Sequence, residues 1–223
     1  MNGFAEMRRK MVDGQLRTEN VTDHAVLDAM GEVPREAFVP ARLKPLAYID
    51  ADLLIKEADG EVGARYLMEP APFARLIQLA DVKSTDIVLD IGCGTGYSAA
   101  VLARLADAVV AVESDAELAE QAAENLVVLG VDNVAVVAGR LAAGYASEGP
   151  YDVIFIDGSV DRVPDGLFDQ LKEGGRLVAV VGTGRTASAT VHTRSDSTIA
   201  GRAAFNVDVR PLPGFRAPAA FAF

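Results

Sequence analysis

Val88-Leu89-Asp90-Ile91-Gly92-Cys93-Gly94-Thr95-Gly96-Tyr97-Ser98 is the stretch that decides the fold. Ile87 to Ile91 forms a short apolar run suited to a buried parallel strand, and a helical pattern resumes at Val101, Leu102 and Leu105. Between them stand glycines at alternate positions, 92, 94 and 96. Glycine without a Cβ lets the backbone approach a ligand closely, so strand, glycine turn and helix read together as a binding loop.

Two classes of ligand suit such a loop. A dinucleotide fold uses G-x-G-x-x-G, whose third glycine lets the helix pack on the strand, and this spacing is absent. Asp90 also precedes the first glycine, and a carboxylate at the mouth repels a pyrophosphate but attracts a cation. S-adenosylmethionine, with its ammonium and sulfonium, is the better fit. A second acid, Glu113, closes the next apolar run, Ala108 to Val112, where a carboxylate would accept both ribose hydroxyls. The arrangement resembles that of class I S-adenosylmethionine-dependent methyltransferases.

The chain of 223 residues is long enough for one α/β domain with an extension. A formal charge of −11 argues against nucleic acid and anionic membrane as partners, and favours a peptide, protein or small molecule. Cys93 is the single cysteine, so no disulfide framework and no thiol metal site is expected, in keeping with a reducing cytoplasm. Residues 1 to 11 carry Glu6, Arg8, Arg9 and Lys10 without a long apolar run, so neither a signal peptide nor a membrane span is expected there. His24 and His192 lie in no motif and read as surface or packing residues.

Residues 1–80 read as a mostly helical extension carrying a substrate gate, and 81–223 as the cofactor-binding domain. Phe4, Met7 and Met11 share one helix face ending at Gly14, with Arg8, Arg9 and Lys10 solvated. Thr22 caps a second helix through Val26, Leu27 and Met30 to Gly31. Lys56 to Arg65, with Gly60 and Gly63, reads as a mobile loop, and Tyr66-Leu67-Met68-Glu69-Pro70 as a gate before a helix with Phe73, Leu76 and Ile77 inward. From Ile87 strands and helices alternate, predicting a parallel sheet with helices on both faces. Ser114 and Glu117 suggest a capping box. Further strands are expected at Val134 to Val137, Val153 to Ile156 and Leu177 to Val181, with a short helix through Leu167, Phe168 and Leu171 before the last. Ala189 to Thr193 and Arg202 to Val209 suggest an antiparallel hairpin at the C-terminal edge. Asp90, Glu113, Arg140 and Asp157 should converge beyond the strand ends.

Over nearly its whole length the chain resembles protein-L-isoaspartate O-methyltransferases. The resemblance rests on Val33-Pro34-Arg35-Glu36-Ala37-Phe38-Val39-Pro40, Ala47-Tyr48-Ile49-Asp50, the glycine loop through Ala103, and Gln170-Leu171-Lys172-Glu173-Gly174-Gly175-Arg176-Leu177. It implies a Rossmann-like sheet, mostly parallel with an antiparallel C-terminal edge, and methyl transfer to the free carboxylate of isoaspartyl residues in damaged protein. Asp90, Gly92, Cys93, Gly94, Gly96, Tyr97, Glu113, Gly139, Arg140 and Asp157 are the expected cofactor residues, with Tyr66 and Glu69 at the acceptor. No metal is expected. Three departures stand out. Met68 replaces the serine of the family's gate, Gly139-Arg140-Leu141 replaces its Gly-Asp-Gly, and Asp157-Gly158-Ser159 replaces a small neutral segment. These leave room for another carboxylate or small-molecule acceptor, or for a recognition module without turnover.

Overall fold

The computed structural model describes residues 3–59 and 63–215. Seven strands form one sheet in the order β5-β4-β3-β6-β7-β8-β9. The glycine loop follows the central strand, β3 (Ile87–Ile91), which pairs in parallel with β4 (Ala108–Glu113) and β6 (Tyr151–Val160). β5 (Val134–Ala138) flanks β4, and β7 (Leu171–Val181) flanks β6, both in parallel. β8 (Ser188–Ser195) and β9 (Thr198–Asn206) complete the sheet as the expected antiparallel hairpin.

Successive side chains of a strand point to opposite faces, and the core divides accordingly. Val88, Val109, Ala111, Val153, Phe155, Val178 and Val180 belong to one apolar cluster. Leu89, Ile91, Val110, Val112, Ile154, Ile156, Leu177 and Ala179 belong to the other. The faces are covered unequally. α1 (Gly3–Met11), α2 (His24–Glu32), α3 (Pro70–Ala80), α4 (Tyr97–Ala103) and α5 (Ala116–Val128) all contribute to the first cluster. The second is covered by Leu141, the four-residue α6 (Asp165–Phe168), and Leu212 and Phe215 of the C-terminal segment. The long helices therefore share one face rather than two, because the N-terminal helices pack on the same face as α3 to α5.

Several local expectations need correction. The cap of α2 is Asp23, whose carboxylate accepts from Ala25 and Val26 amides, while the Thr22 amide donates to Gln78 at 2.7 Å. Likewise Asp115, not Ser114, caps α5, accepting from Glu117 and Leu118. Both were placed one residue early because neighbouring Ser, Thr and Asp satisfy the same capping chemistry. Gly14 does not end α1; a π turn, Val12–Leu16, carries the chain through it. Phe4 is exposed, whereas Arg8 is half-buried, bonding Tyr48 at 2.8 Å and Glu36 at 3.2 Å. β6 runs past Asp157, and β7 begins at Leu171, where a helix was expected to continue. The extension also contains a hairpin, β1 (Leu53–Lys56) and β2 (Arg65–Leu67), whose strands flank the segment Lys56 to Arg65 read as a loop and take in its two end residues; residues 60–62, including Gly60, lie outside the described residues.

Arg35 ties the extension to this hairpin. It is fully buried, with Nε donating to the Ala47 carbonyl at 2.8 Å, Nη2 to that of Met68 at 2.5 Å, and the guanidinium 4.9 Å from the Tyr97 ring centre. Arg35→Met would keep the apolar stem and strand both carbonyls, at about 1–3 kcal/mol for each unsatisfied group. The urea midpoint is expected to fall clearly, and an unchanged midpoint would show that Arg35 does not hold the gate.

Candidate active site

The tips of β3, β4 and β6 lie side by side, so three acids of distant sequence meet at one edge. Asp90 is fully buried; Ser98 at the start of α4 donates to its Oδ2 at 2.7 Å, and its Oδ1 has no protein partner. Burial first, then the charge of Asp157, holds Asp90 well above the usual carboxylate range. Asp157 likewise has an unpartnered Oδ1, and removal from water pushes its pKa up to about 7 against the opposing charge of Arg65. Its position coincides with a shift of the β6–β7 register between Phe155 and Ser159. Irregularities of this kind re-aim side chains at strand ends.

Glu113 is a hydrogen-bond hub. Its Oε2 accepts from the Gly94 amide at 2.9 Å, while Oε1 accepts from the amides of Ser114 at 2.7 Å and Asp115 at 3.0 Å. The Arg65 guanidinium on β2 completes a buried ion pair with Oε1 and bonds the Gly92 carbonyl at 3.0 Å. Gly92 and Gly94 adopt positive φ, +90° and +55°. Gly96, at φ +98°, caps α4 so close to α5 that a Cβ would lie 3.2 Å from Ala122.

Above the loop, a cavity of about 10 Å³ is lined by Arg65, Tyr66, Met68, Asp157, Arg210 and Leu212, among others. Tyr66 and Met68 therefore do face Asp157 across one space. Arg210 lies 4.9 Å from the Tyr66 ring centre and pairs with Asp52 at 3.1 Å. Glu69 is turned elsewhere, lining a separate cavity of about 220 Å³ with Glu19, Asp50 and Arg75. Burial, then Asp50, raises Glu69 to about 7. Glu69, expected at the acceptor, thus stands apart from the space shared by Tyr66, Met68 and Asp157.

The other expected residues fall in varied surroundings. Gly139 donates its amide to the Glu113 carbonyl at 2.8 Å, beside the hub. Arg140 opens a short 3-10 turn, Leu141–Ala143, and its side chain is exposed rather than gathered with the acids. The Tyr97 ring is taken up by packing, 5.5 Å from both Phe38 and Phe73. Cys93 is buried, and burial holds its thiol well above the ordinary range. His24 is exposed and His192 packs 5.1 Å from Phe168, and neither lines the cavity with Tyr66, Met68 and Asp157.

A family model described as protein-L-isoaspartate(D-aspartate) O-methyltransferase matches residues 6–214. The chain belongs to this family. A protein-L-isoaspartate O-methyltransferase of Koribacter versatilis is 42% identical over 183 residues, 82% of this chain and 80% of the relative. One from Rhodopseudomonas palustris is 38% identical over 94% of this chain and 83% of its own. A solved protein-L-isoaspartate O-methyltransferase superposes with a TM-score of 0.81 at 31% identity, covering 93% of this chain and 66% of that one. A Plasmodium falciparum structure, solved with S-adenosyl-L-homocysteine, shares the fold with a TM-score of 0.76 at 21% identity. The protein is an S-adenosylmethionine-dependent methyltransferase of the isoaspartate family.

The isoaspartate methyltransferase site has the groups its methyl donor needs. An unpartnered buried carboxylate oxygen on Asp90, a glycine cradle at positive φ and Glu113 at the next strand tip fit a cationic adenosyl ligand. Arg35, Arg65 and Ser98 were not singled out as site residues, since a buried arginine leaves no local pattern in sequence.

Glu69, in its separate cavity, gives the protein a pH signature. An acid whose folded pKa exceeds its unfolded value loses stability for the protein as pH rises between the two, here from the ordinary carboxylate value to about 7. Glu69→Gln is therefore expected to raise the melting temperature at pH 8 and to have little effect near pH 4.5. Equal effects at both pH values, read by thermal unfolding, would contradict this.

Proposed function

We propose that this methyltransferase holds the donor between Asp90, Glu113 and the loop Gly92–Gly96, and receives the acceptor carboxylate against Tyr66 and Met68. The observation that carries the reading is Asp90, wholly buried with one oxygen unmatched by any protein group. An unmatched buried carboxylate is costly, and a cation placed beside it recovers that cost. When bound, S-adenosylmethionine supplies an activated methyl group on a sulfonium.

The chain's own residues then have three tasks. Asp90 and Asp157 favour a positive ligand in a dry site, where attraction is stronger than in water. Glu113 fixes the glycine loop by its bond from Gly94 and offers acceptor oxygens to a vicinal diol. The gate, held by Arg35 through the Met68 carbonyl, excludes water and aligns the acceptor, which is the main protein contribution to an in-line displacement. A carboxylate acceptor has an ordinary pKa of about 4 and is already ionised, so no base is required. Neither histidine lines the cavity with Tyr66 and Met68.

The acceptor is an isoaspartyl residue in a damaged protein or peptide. Esterification makes its carbonyl a better electrophile, and the neighbouring backbone nitrogen can close a succinimide that reopens partly to normal aspartate. Net charge of −11 disfavours nucleic acid and anionic lipid as partners. Among the described residues no helix is long and apolar enough to cross a membrane. Together with the single buried thiol this is in keeping with work in the cytoplasm.

Met68 supports a second reading, in which a related carboxylate or small molecule is the acceptor, because a thioether cannot donate a hydrogen bond as a serine would. Labelled donor separates the two. Base-labile label on an isoaspartyl peptide, released as methanol, is the expected result, and Met68→Ser should leave that activity equal or higher. Activity that appears only in Met68→Ser, or transfer confined to another acceptor, would refute the isoaspartyl assignment for the native chain.

Donor uptake should also depend on pH. Burial raises the pKa of Asp90 and brings that of Asp157 to about 7, and a cationic ligand favours the ionised form of each. Binding is expected to release protons and to tighten as pH rises through about 7, where Asp157 titrates, before levelling off. Calorimetry of S-adenosylhomocysteine in buffers of different ionisation enthalpy measures the released protons, and Asp90→Asn should weaken binding by about tenfold or more.

A further inference from the structure

Of the groups read as holding the donor, Glu113 and the glycine loop are engaged by the chain itself, while Asp90 keeps one oxygen free. Arg65 pairs with Glu113 at the carboxylate that a ribose would need, and also caps the Gly92 carbonyl. The glycine cradle is filled from above. A Cβ at Gly94 would lie 2.9 Å from the Ile55 side chain, and one at Gly92 2.9 Å from Leu212. Beside it, the cavity that Arg65 and Leu212 line with Tyr66, Met68 and Asp157 is about 10 Å³, space for about one water, whereas ligand pockets run to roughly 300–1,000 Å³.

Ile55 and Arg65 both belong to the β1–β2 hairpin, in which Leu54 pairs with Tyr66 and Lys56 with Arg65. The hairpin is fastened at its outer side by Lys56, whose Nζ reaches Asp115 and Glu117 at 2.7 Å. Leu212 is held by reciprocal backbone bonds around Ser159, which donates to Arg210 at 2.9 Å and accepts from Leu212 at 2.9 Å. Arg210 in turn pairs with Asp52, just before β1. Ion pairs and two apolar side chains thus keep one arm closed over the loop.

We infer that Arg65 sets donor affinity by competing for Glu113, and that the β1–β2 arm must lift Arg65 and Ile55 away before an adenosyl ligand with a vicinal diol can enter. The inference rests on the reading that Glu113 serves the donor. Tyr66 is on the same strand as Arg65 and Met68 follows it, so lifting the arm also reshapes the acceptor wall. Donor entry and acceptor-site formation are one movement, and the acceptor wall takes its final shape only after the donor has displaced the guanidinium.

A competitor inside the protein lowers apparent affinity by the fraction of molecules that are open. Removing it should therefore strengthen binding, the reverse of what loss of an ordinary site residue does. Calorimetric titration with S-adenosylhomocysteine tests this on the native chain, Arg65→Gln and Leu212→Ala. Arg65→Gln keeps a polar side chain, and Glu113 retains three backbone amides as donors. The expected result is binding about tenfold tighter in Arg65→Gln, with a smaller gain in Leu212→Ala, which removes cover from Gly92 without touching the ion pair. Should Arg65→Gln fail to fold by circular dichroism, Arg65→Lys, which keeps the charge but cannot reach Glu113 and the Gly92 carbonyl together, takes its place with a tighter binding expected in the same direction. If the native chain binds while the folded variants bind equally or more weakly, the competition is refuted and the donor reading stands. If neither the native chain nor any variant takes up the ligand, the donor reading fails and this inference with it.

Discussion

The carboxylate of Glu113 is the fixed point on which three parts of the molecule converge. One oxygen receives the amide of Gly94, and so fastens the loop after β3. The other receives the first amides beyond β4 and the guanidinium of Arg65 from the hairpin. A buried carboxylate oxygen pair met by this many donors is fixed in orientation, because each bond restrains it from a different part of the chain. The parallel sheet determines that Glu113 stands beside Asp90: Asp90 pairs with Ala111, and Glu113 follows two residues later. Each strand tip adds a group at one edge, and chemistry collects there.

The extension before the sheet is part of the same machinery. Thr95 in the glycine loop donates to the Phe38 carbonyl at 2.6 Å, and Asn125 on α5 donates to the Thr95 carbonyl at 2.9 Å. The loop is thereby clamped from two sides. Phe38 lies in the segment whose Arg35 holds Met68, so the glycine loop and the segment around Met68 share one support. Gln78 adds a remote tie, its Oε1 accepting from the amides of Thr22 and Asp23 at 2.7 and 2.9 Å.

Much of this was legible in the residues alone. Buried parallel strands read as continuous apolar runs, which made β3, β4 and β5 visible to within a residue or so, and the acid after such a run marks its tip. The C-terminal hairpin showed through its change of period. What escaped the sequence were relations across long separations. Arg65 and Glu113 are 48 residues apart, and nothing around either predicts their pairing. The same holds for Arg35, an arginine that looks like a surface residue until the fold encloses it. Tyr97 and Glu69 illustrate the converse: proximity to a motif in sequence suggested the cleft, but helical phase turns Tyr97 into the aromatic core and the bend before α3 turns Glu69 towards Asp50. The hairpin β1–β2 was hidden because its strands are only four and three residues long.

Cys93, the one sulfhydryl in the molecule, is sealed between the first two glycines of the loop. Burial raises its pKa and keeps it out of reach of oxidants, so this thiol is no exposed redox liability. An alkylating reagent can modify it only in molecules whose floor has been momentarily uncovered. The rate of that reaction is thus a clock for breathing of the catalytic end, built into the wild-type chain without any label.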